Sequence, residues 1–233
     1  MTLIKRIAVG FAVCFFVCAG LSAQKQEQSV ESEYLSSMED VIITELANSD
    51  QRDNKFVALQ YLEDAINEGR ATPDMAAALD QLAGEGITTQ SKTNGRLMNN
   101  YPDVRKKACD LLAKVPTKES KTTLVKIALA DNEPMVITAA IRSLGEIGMN
   151  DNDEVVNVIA FANRHNQTMN PASSMALEVL NAYEKLAPSV SDRSVMLESI
   201  GRIATDYRYV TPIRKRAIEL LTKMKGGAGN KKQ

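Results

Sequence analysis

Val104-Arg105-Lys106-Lys107-Ala108-Cys109-Asp110-Leu111-Leu112 nearly returns, a hundred residues on, as Ile213-Arg214-Lys215-Arg216-Ala217-Ile218-Glu219-Leu220-Leu221. Each copy sets an aliphatic residue, an alanine four positions on and a leucine four beyond that, which places all three on one face of a helix. Val136, Ala140 and Leu144 repeat the skeleton, and Ala172, Ala176 and Leu180 repeat it less fully. Asn54, Ala58 and Leu62 are the weakest copy, with a polar residue in the lead. From Ala108 to Ala140, Ala176 and Ala217 the steps are 32, 36 and 41 residues. Two helices repeated at periods near 40 residues define a helical solenoid. The sequence therefore predicts an all-α chain, an α-α superhelix of about five helix pairs over residues 34–68, 73–115, 117–148, 151–187 and 191–225.

Boundary signals agree with this division. Pro134 opens an apolar stripe of Val136, Ile137, Ala140, Ile141, Leu144 and Ile147, and Gly148 closes it. Proline is tolerated at the first helical position because its missing N–H would be unpaired there anyway, and glycine suits a helix end. Thr72-Pro73-Asp74 supplies a cap, a first residue and an acid for the positive end of the next helix dipole. Asp151, Ser191 and Asn170-Pro171 mark further starts. No strand run is evident. The stretch from Gly84-Glu85-Gly86 through Asn94-Gly95 to Asn99-Asn100 reads as a long polar loop between the two helices of the second pair, and loops of that length are either functional or floppy.

On these residues the chain resembles the HEAT repeat family, including its bacterial lyase-like subgroup. The resemblance is carried by Pro102 with Val104-Arg105 and Ala108, by Pro134 with Val136 and Ala140, by Ile213-Arg214 with Ala217, and by the Leu144-Gly145-Glu146-Ile147-Gly148 ending. It is strongest over 101–148 and 210–225. It implies a HEAT-like solenoid whose second helices line the concave face. The family's basic residue after the leading aliphatic is Arg105 and Arg214 here, but Ile137 and Ser173 in two other copies, so a continuous Arg/Asp ladder along the stack is not expected. Tetratricopeptide repeats fit less well, since their fixed 34-residue step and Trp/Gly/Tyr pattern are missing.

The amino terminus carries a different signal. Lys5 and Arg6 precede an apolar run through Val17, and Leu21-Ser22-Ala23 offers small residues ahead of the polar Gln24-Lys25-Gln26. Positive start, short apolar core and small-residue exit make a secretory signal peptide over 1–23. The expected location is periplasmic or secreted, with an uncleaved amino-terminal anchor as the alternative. Residues 24–33 read as a flexible segment, 34–225 as the repeat domain and 226–233 as a disordered basic tail. Cleavage after Ala23 removes Cys14 and Cys18 and leaves Cys109 alone, so no internal disulfide can form and packing must supply the stability.

Little in the sequence points to catalysis. His165 is the only histidine, and metal sites and Cys–His pairs need several such groups brought together. Gly84-Glu85-Gly86 lacks the lysine and the strand–helix context of a phosphate loop. Asp151-Asn152-Asp153-Glu154 lacks the length and central glycine of a calcium loop and reads as an acidic helix start. Asn166-Gln167-Thr168 fits the glycosylation sequon. No catalytic residue, cofactor or metal is expected. The functional expectation is a non-catalytic protein-binding scaffold in the periplasm or cell envelope. The alternative is an enzyme or enzyme subunit of the lyase-like subgroup whose site the sequence does not reveal.

With Val104, Ala108, Leu111 and Leu112 turned to the core, Lys106 and Asp110 point away from it at 100° per residue. The equivalent positions are Thr138 and Arg142, Ser174 and Glu178, and Lys215 and Glu219. Lys106, Asp110, Arg142, Glu178, Lys215 and Glu219 are thus the candidate partner-binding face, a polar groove of mixed charge without an apolar stripe. Charge is also polarised along the chain. Residues 24–86 hold four basic and fourteen acidic side chains, a net of −10, whereas residues 193–233 hold ten basic and three acidic, a net of +7. Arg208, Arg214, Lys215, Arg216, Lys223 and Lys225 form a candidate basic patch. It suits an anionic membrane surface, an acidic polymer or head-to-tail self-association, and nucleic acid is not expected.

Overall fold

The computed structural model describes residues 30–226. The expected signal peptide and most of the carboxy-terminal tail lie outside these residues. Ten α-helices are present among them: α1 (Val30–Asn48), α2 (Arg52–Asn67), α3 (Pro73–Ala83), α4 (Pro102–Leu112), α5 (Lys118–Ala130), α6 (Pro134–Ile147), α7 (Glu154–Met169), α8 (Ser173–Leu186), α9 (Ser194–Thr205) and α10 (Thr211–Gly226). Contacts divide the chain at Glu39/Asp40. The described part of the first unit is the opening turns of α1, which begin at Val30, ahead of the expected Tyr34. The second unit holds everything that follows.

Local chemistry sets the helix ends. Pro73, Pro102 and Pro134 each stand at a helix start. Thr72 and Thr117 cap by accepting from the backbone N–H of Met75 and Ser120, at 3.2 and 3.1 Å. Gly148 ends α6 with φ +71°, a left-handed conformation that glycine adopts without steric cost. The acidic start expected at Asp151 is a short 3-10 turn, with Asn152 and Asp153 at positive φ. The Asp153 carboxylate accepts from the backbone N–H groups of Asp192 (2.8 Å) and Ser191 (3.0 Å), and these bonds hold its pKa below the usual carboxylate range.

From α3 on, the helices pair in sequence order, and the stack has two layers. First helices α3, α5, α7 and α9 pack in a row, and second helices α2, α4, α6, α8 and α10 pack in another. The alanines that defined the repeat, Ala58, Ala108, Ala140, Ala176 and Ala217, are all buried between the layers. Small residues let the helices approach closely. At Gly145 of α6 a β-carbon would lie 2.7 Å from Cα of Ala182 in α8. Cys109 is fully buried among these residues, and burial pushes its thiol far above the ordinary range, as expected of a packing residue.

Two elements differ from the sequence reading. The polar loop over 84–100 contains a small antiparallel hairpin, β1 (Lys92–Thr93) with β2 (Arg96–Leu97), closed by Asn94 and Gly95 at φ +53° and +77°. Positive φ at both turn residues is the geometry that Asn-Gly favours. Two-residue strands have no periodicity to read, which is why none was expected. The loop is also anchored in the core. Asn99 Nδ2 donates to Glu85 Oε1 (2.6 Å) and to the Thr89 carbonyl (2.7 Å), while Asn99 Oδ1 accepts from the Ser91 N–H.

Glu85 in turn accepts from the buried ammonium of Lys55 at 3.0 Å, and Lys55 also donates to the Ala47 carbonyl at 2.7 Å. One repeat later, buried Arg105 grips Asp131 through Nε (2.7 Å) and a second guanidinium nitrogen (3.2 Å), and donates to the Glu85 carbonyl and to Asn100. A buried charge is tolerated only when paired and hydrogen-bonded. Lys55 and Arg105 occupy the same register, three residues before the repeat alanine. Each meets an acid in the loop after the first helix of the next pair. Ile137 and Ser173 fill that register in the third and fourth pairs, so the ionic rungs stop after two.

Candidate functional site

The outward positions expected on the second helices come together as a chain of ion pairs. Lys106 Nζ lies 3.2 Å from Asp110 within α4, Asp110 lies 2.6 Å from Arg142 of α6, and Arg142 lies 3.5 Å from Glu178 of α8. Three consecutive repeats are thus bridged across their second-helix face. The sequence reading placed these residues separately on one face. The structure joins them because the +2 position after each repeat alanine stacks directly over the next. Burial works against the Arg142 charge, yet Asp110 and Glu178 outweigh it and hold its pKa above the usual arginine range. Beside the chain lies a cleft of about 320 Å³ lined by Arg142, Glu146, Glu178, Asn181, Ala182, Glu184 and Lys185.

Lys215 and Glu219 do not join. Both are exposed on α10, and neither forms an ion pair among the described residues, not even with the other. No described repeat lies beyond α10 to extend the chain of ion pairs, and an exposed i,i+4 pair gains too little to fix two long side chains.

Half of the basic patch is paired within the chain. Arg208 pairs with Asp206 at 2.8 Å, and Arg216 and Lys223 both bind Glu184 of α8, at 2.6 and 2.7 Å. Their hydrogen bonds hold both acids below the ordinary carboxylate range: Arg208 acts first on Asp206, and Lys223 first on Glu184. Among the described residues the Arg214 side chain hydrogen-bonds only the Thr211 hydroxyl. Lys215 and Lys225 are the exposed cations of the six that form no ion pair among the described residues. A row of six cations in sequence is therefore not a row of six available charges.

Other candidates resolve as structural. His165 is exposed and stacks on Phe161 at 6.4 Å between ring centroids. Asn166 of the sequon is buried within α7. Among the described residues no group of three or more His, Cys, Asp or Glu side chains is placed to hold a metal ion, and no helix is long and apolar enough to cross a membrane.

The sequence reading missed a second cleft, of about 650 Å³, between first helices α3 and α5. Ala76, Ala77, Asp80, Thr122, Thr123 and Lys126 line part of it, and the Thr123 hydroxyl donates to Asp80 across it. The run of small residues at 76–78 opposite Thr122-Thr123 was the only signal, and small residues are as common in tight packing as in grooves.

Residues 96–167 match the family model of HEAT repeats. The fold is a HEAT-like solenoid. Comparison with curated proteins and with solved structures finds no match. The matched stretch takes in α4 to α7, and so includes the Arg105–Asp131 rung and the Lys106–Asp110–Arg142 part of the surface chain. HEAT repeats commonly serve as protein-interaction scaffolds. Stacked helix pairs suit that work because they hold a long, pre-formed surface at little entropic cost on binding.

Proposed function

We propose that this chain is a non-catalytic scaffold that is exported to the periplasm or cell envelope and holds a protein partner on its second-helix face. The observation that carries the reading is the chain of charges from Lys106 through Asp110 and Arg142 to Glu178. Its members are partly exposed, so a partner can reach them, and their mutual pairing fixes the side chains in advance. Alternating charge on a rigid face favours a partner segment with the complementary alternation, and penalises others by like-charge contact. Export rests on the signal segment of residues 1–23. The thinned basic patch supports contact with an anionic surface or an acidic polymer less well than the second-helix face supports a protein.

The test is capture from envelope extract with the parent and with Arg142→Glu, which breaks two links at once and leaves Asp110 and Glu178 beside a third acid. One protein enriched by the parent and lost with the variant is the expected result. Identical recovery with both, or a bound small molecule on native mass spectrometry with no protein, would overturn the reading. The second of these outcomes would favour an enzyme.

A further inference from the structure

The repeat register leaves complementary, unmet positions at the two ends of the stack, and from them we propose that a second copy of this chain docks head-to-tail, Arg214 of one copy meeting Asp50 of the next. This reading stands apart from the second-helix face, because it uses only the ends. Three interior interfaces share one contact. The residue three before the repeat alanine reaches the loop after the first helix of the following pair: Lys55 to Glu85, Arg105 to Asp131, and Ser173 Oγ accepting from the Val210 N–H at 3.2 Å. In the last pair among the described residues that residue is Arg214, and no described pair lies beyond it. Its Nε is shut off from solvent and donates to nothing among the described residues. In the first pair the corresponding loop, between α1 and α2, holds Asp50. That side chain is exposed and has no ion-pair partner among the described residues, while its carbonyl is occupied by the Tyr101 hydroxyl. Among the described residues, a basic group without its acid stands at one end of the stack, and an acid without its base at the other.

The flanking positions agree. Inside the stack, the residues one before, three after and six after each repeat alanine face the preceding pair. Lys107 and Lys114 meet Glu63 there, Ser143 donates to the Cys109 carbonyl, Ala182 abuts Gly145, and Arg216 and Lys223 meet Glu184. In the first pair the same positions are Val57, Tyr61 and Asp64. All three are exposed, and with Gln60 they line a shallow cleft of about 160 Å³. Positions one and eight after the alanine face the following pair, as Cys109 and Glu184 do. In the last pair these are Ile218 and Lys225, both exposed. Stacking a second copy in the same register sets Ile218 against Val57 and Tyr61, and Lys225 against Asp64. The charge polarity of the chain, −10 over residues 24–86 and +7 over 193–233, opposes head-to-head pairing and favours this arrangement.

Such a contact is heterologous and does not close on itself, so it builds open chains. Sedimentation of the purified protein should show weight-average mass rising with concentration, and rising less at high salt, where exposed charges are screened. Asp50→Arg and Arg214→Glu should each sediment as monomers over the range in which the parent associates. Mixed in equal amounts they should associate again as alternating chains, because the intact head meets the intact tail at one junction and the two reversed ends attract each other at the next. Asp64→Lys and Lys225→Glu provide the same complementary pair on fully exposed residues, should Arg214→Glu disturb α10. A parent that stays monomeric to its solubility limit, single variants that associate like the parent, or a mixture that does not associate would overturn the proposal. None of these outcomes bears on capture through Arg142.

Discussion

The interfaces between the first three helix pairs and the interface between the third and fourth solve one packing problem in opposite ways. Around α2, α3 and α4 the register three before the alanine carries Lys55 and Arg105, each buried and matched by an acid from the next loop. Around α6 and α8 it carries Ile137 and Ser173, and closeness replaces charge: Gly145 sits against Ala182 with no room for a β-carbon. The ionic rungs coincide with the hairpin insertion, and the same groups anchor both, since Glu85 accepts from Lys55 and Asn99 while its carbonyl accepts from Arg105. Where a long polar excursion must be tied to the core, a hydrogen-bonded charge offers directional bonds that an aliphatic side chain cannot.

This contrast is broken most severely at Arg105. Arg105→Met leaves the buried Asp131 without its ionic partner, with only the Glu133 N–H still donating to it, and takes the donor from the Glu85 carbonyl. Removing one partner of a buried pair costs about 3–5 kcal/mol, so equilibrium unfolding in urea should show a loss of that order. Amide exchange should accelerate first in the hairpin. At the matching register of the apolar interface, Ile137→Leu should cost less than about 1.5 kcal/mol, as volume-conserving swaps do. Equal losses at the two positions would show that the register does not divide the stack as described.

Next in size is Gly145→Ala. Its β-carbon would fall 2.7 Å from both Cα and Cβ of Ala182, so α6 and α8 must separate. Overpacking of this kind costs about 1–3 kcal/mol, read as a lower melting temperature. Ala182→Gly in the same chain should recover part of the loss, since it removes the Cβ contact but not the one to Cα. Failure to recover anything would place the damage elsewhere. Ala140→Leu should fall in the same range because Ala140 is fully buried. Ala77→Leu, on the exposed side of α3, should change stability by less than about 0.5 kcal/mol.

The same contrast explains what could be read from the sequence. The helix pairs were legible because Ala108, Ala140 and Ala217 recur with aliphatic residues at helical spacing. Lys106, Asp110, Arg142 and Glu178 were placed on one face by rotation alone. Lys55 and Arg105 could be seen as basic residues in the repeat register, but the acids that meet them, Glu85 and Asp131, lie in the loops of the following repeat. No local spacing joins such partners. The hairpin was equally hidden, with Asn94-Gly95 its only mark. The pairing inside the basic patch was hidden for a related reason: Glu184, which meets Arg216 and Lys223, belongs to a helix some thirty residues earlier, and counting charges along the chain does not show which are already paired.

The smallest effect separates the surface rungs from the buried ones by pH. Glu63 joins α2 to α4 through Lys107 (2.5 Å) and Lys114 (3.1 Å), whose hydrogen bonds, Lys107 first, lower its pKa below the ordinary glutamate value. A carboxylate with a depressed folded pKa binds protons more readily when unfolded. Its stabilisation is therefore present above the unfolded pKa, about 4.3, and is lost as pH falls through the lower folded value. The parent's melting temperature should drop below about pH 4. Glu63→Gln removes the ionisation, so its stability should fall slightly at pH 7 and vary less across the acid range, the two curves converging as the parent's Glu63 is protonated. Lys107 and Glu63 are each about a third exposed (37% and 31%), so solvent screening keeps the gap at pH 7 to about 1 kcal/mol or less. Raising salt at pH 7 should narrow it further, whereas the loss in Arg105→Met should stay nearly constant, because a pair shut off from water is poorly screened. A salt response of equal size in both variants would mean that Arg105 and Asp131 are open to solvent, and that the two kinds of interface differ less than their geometry indicates.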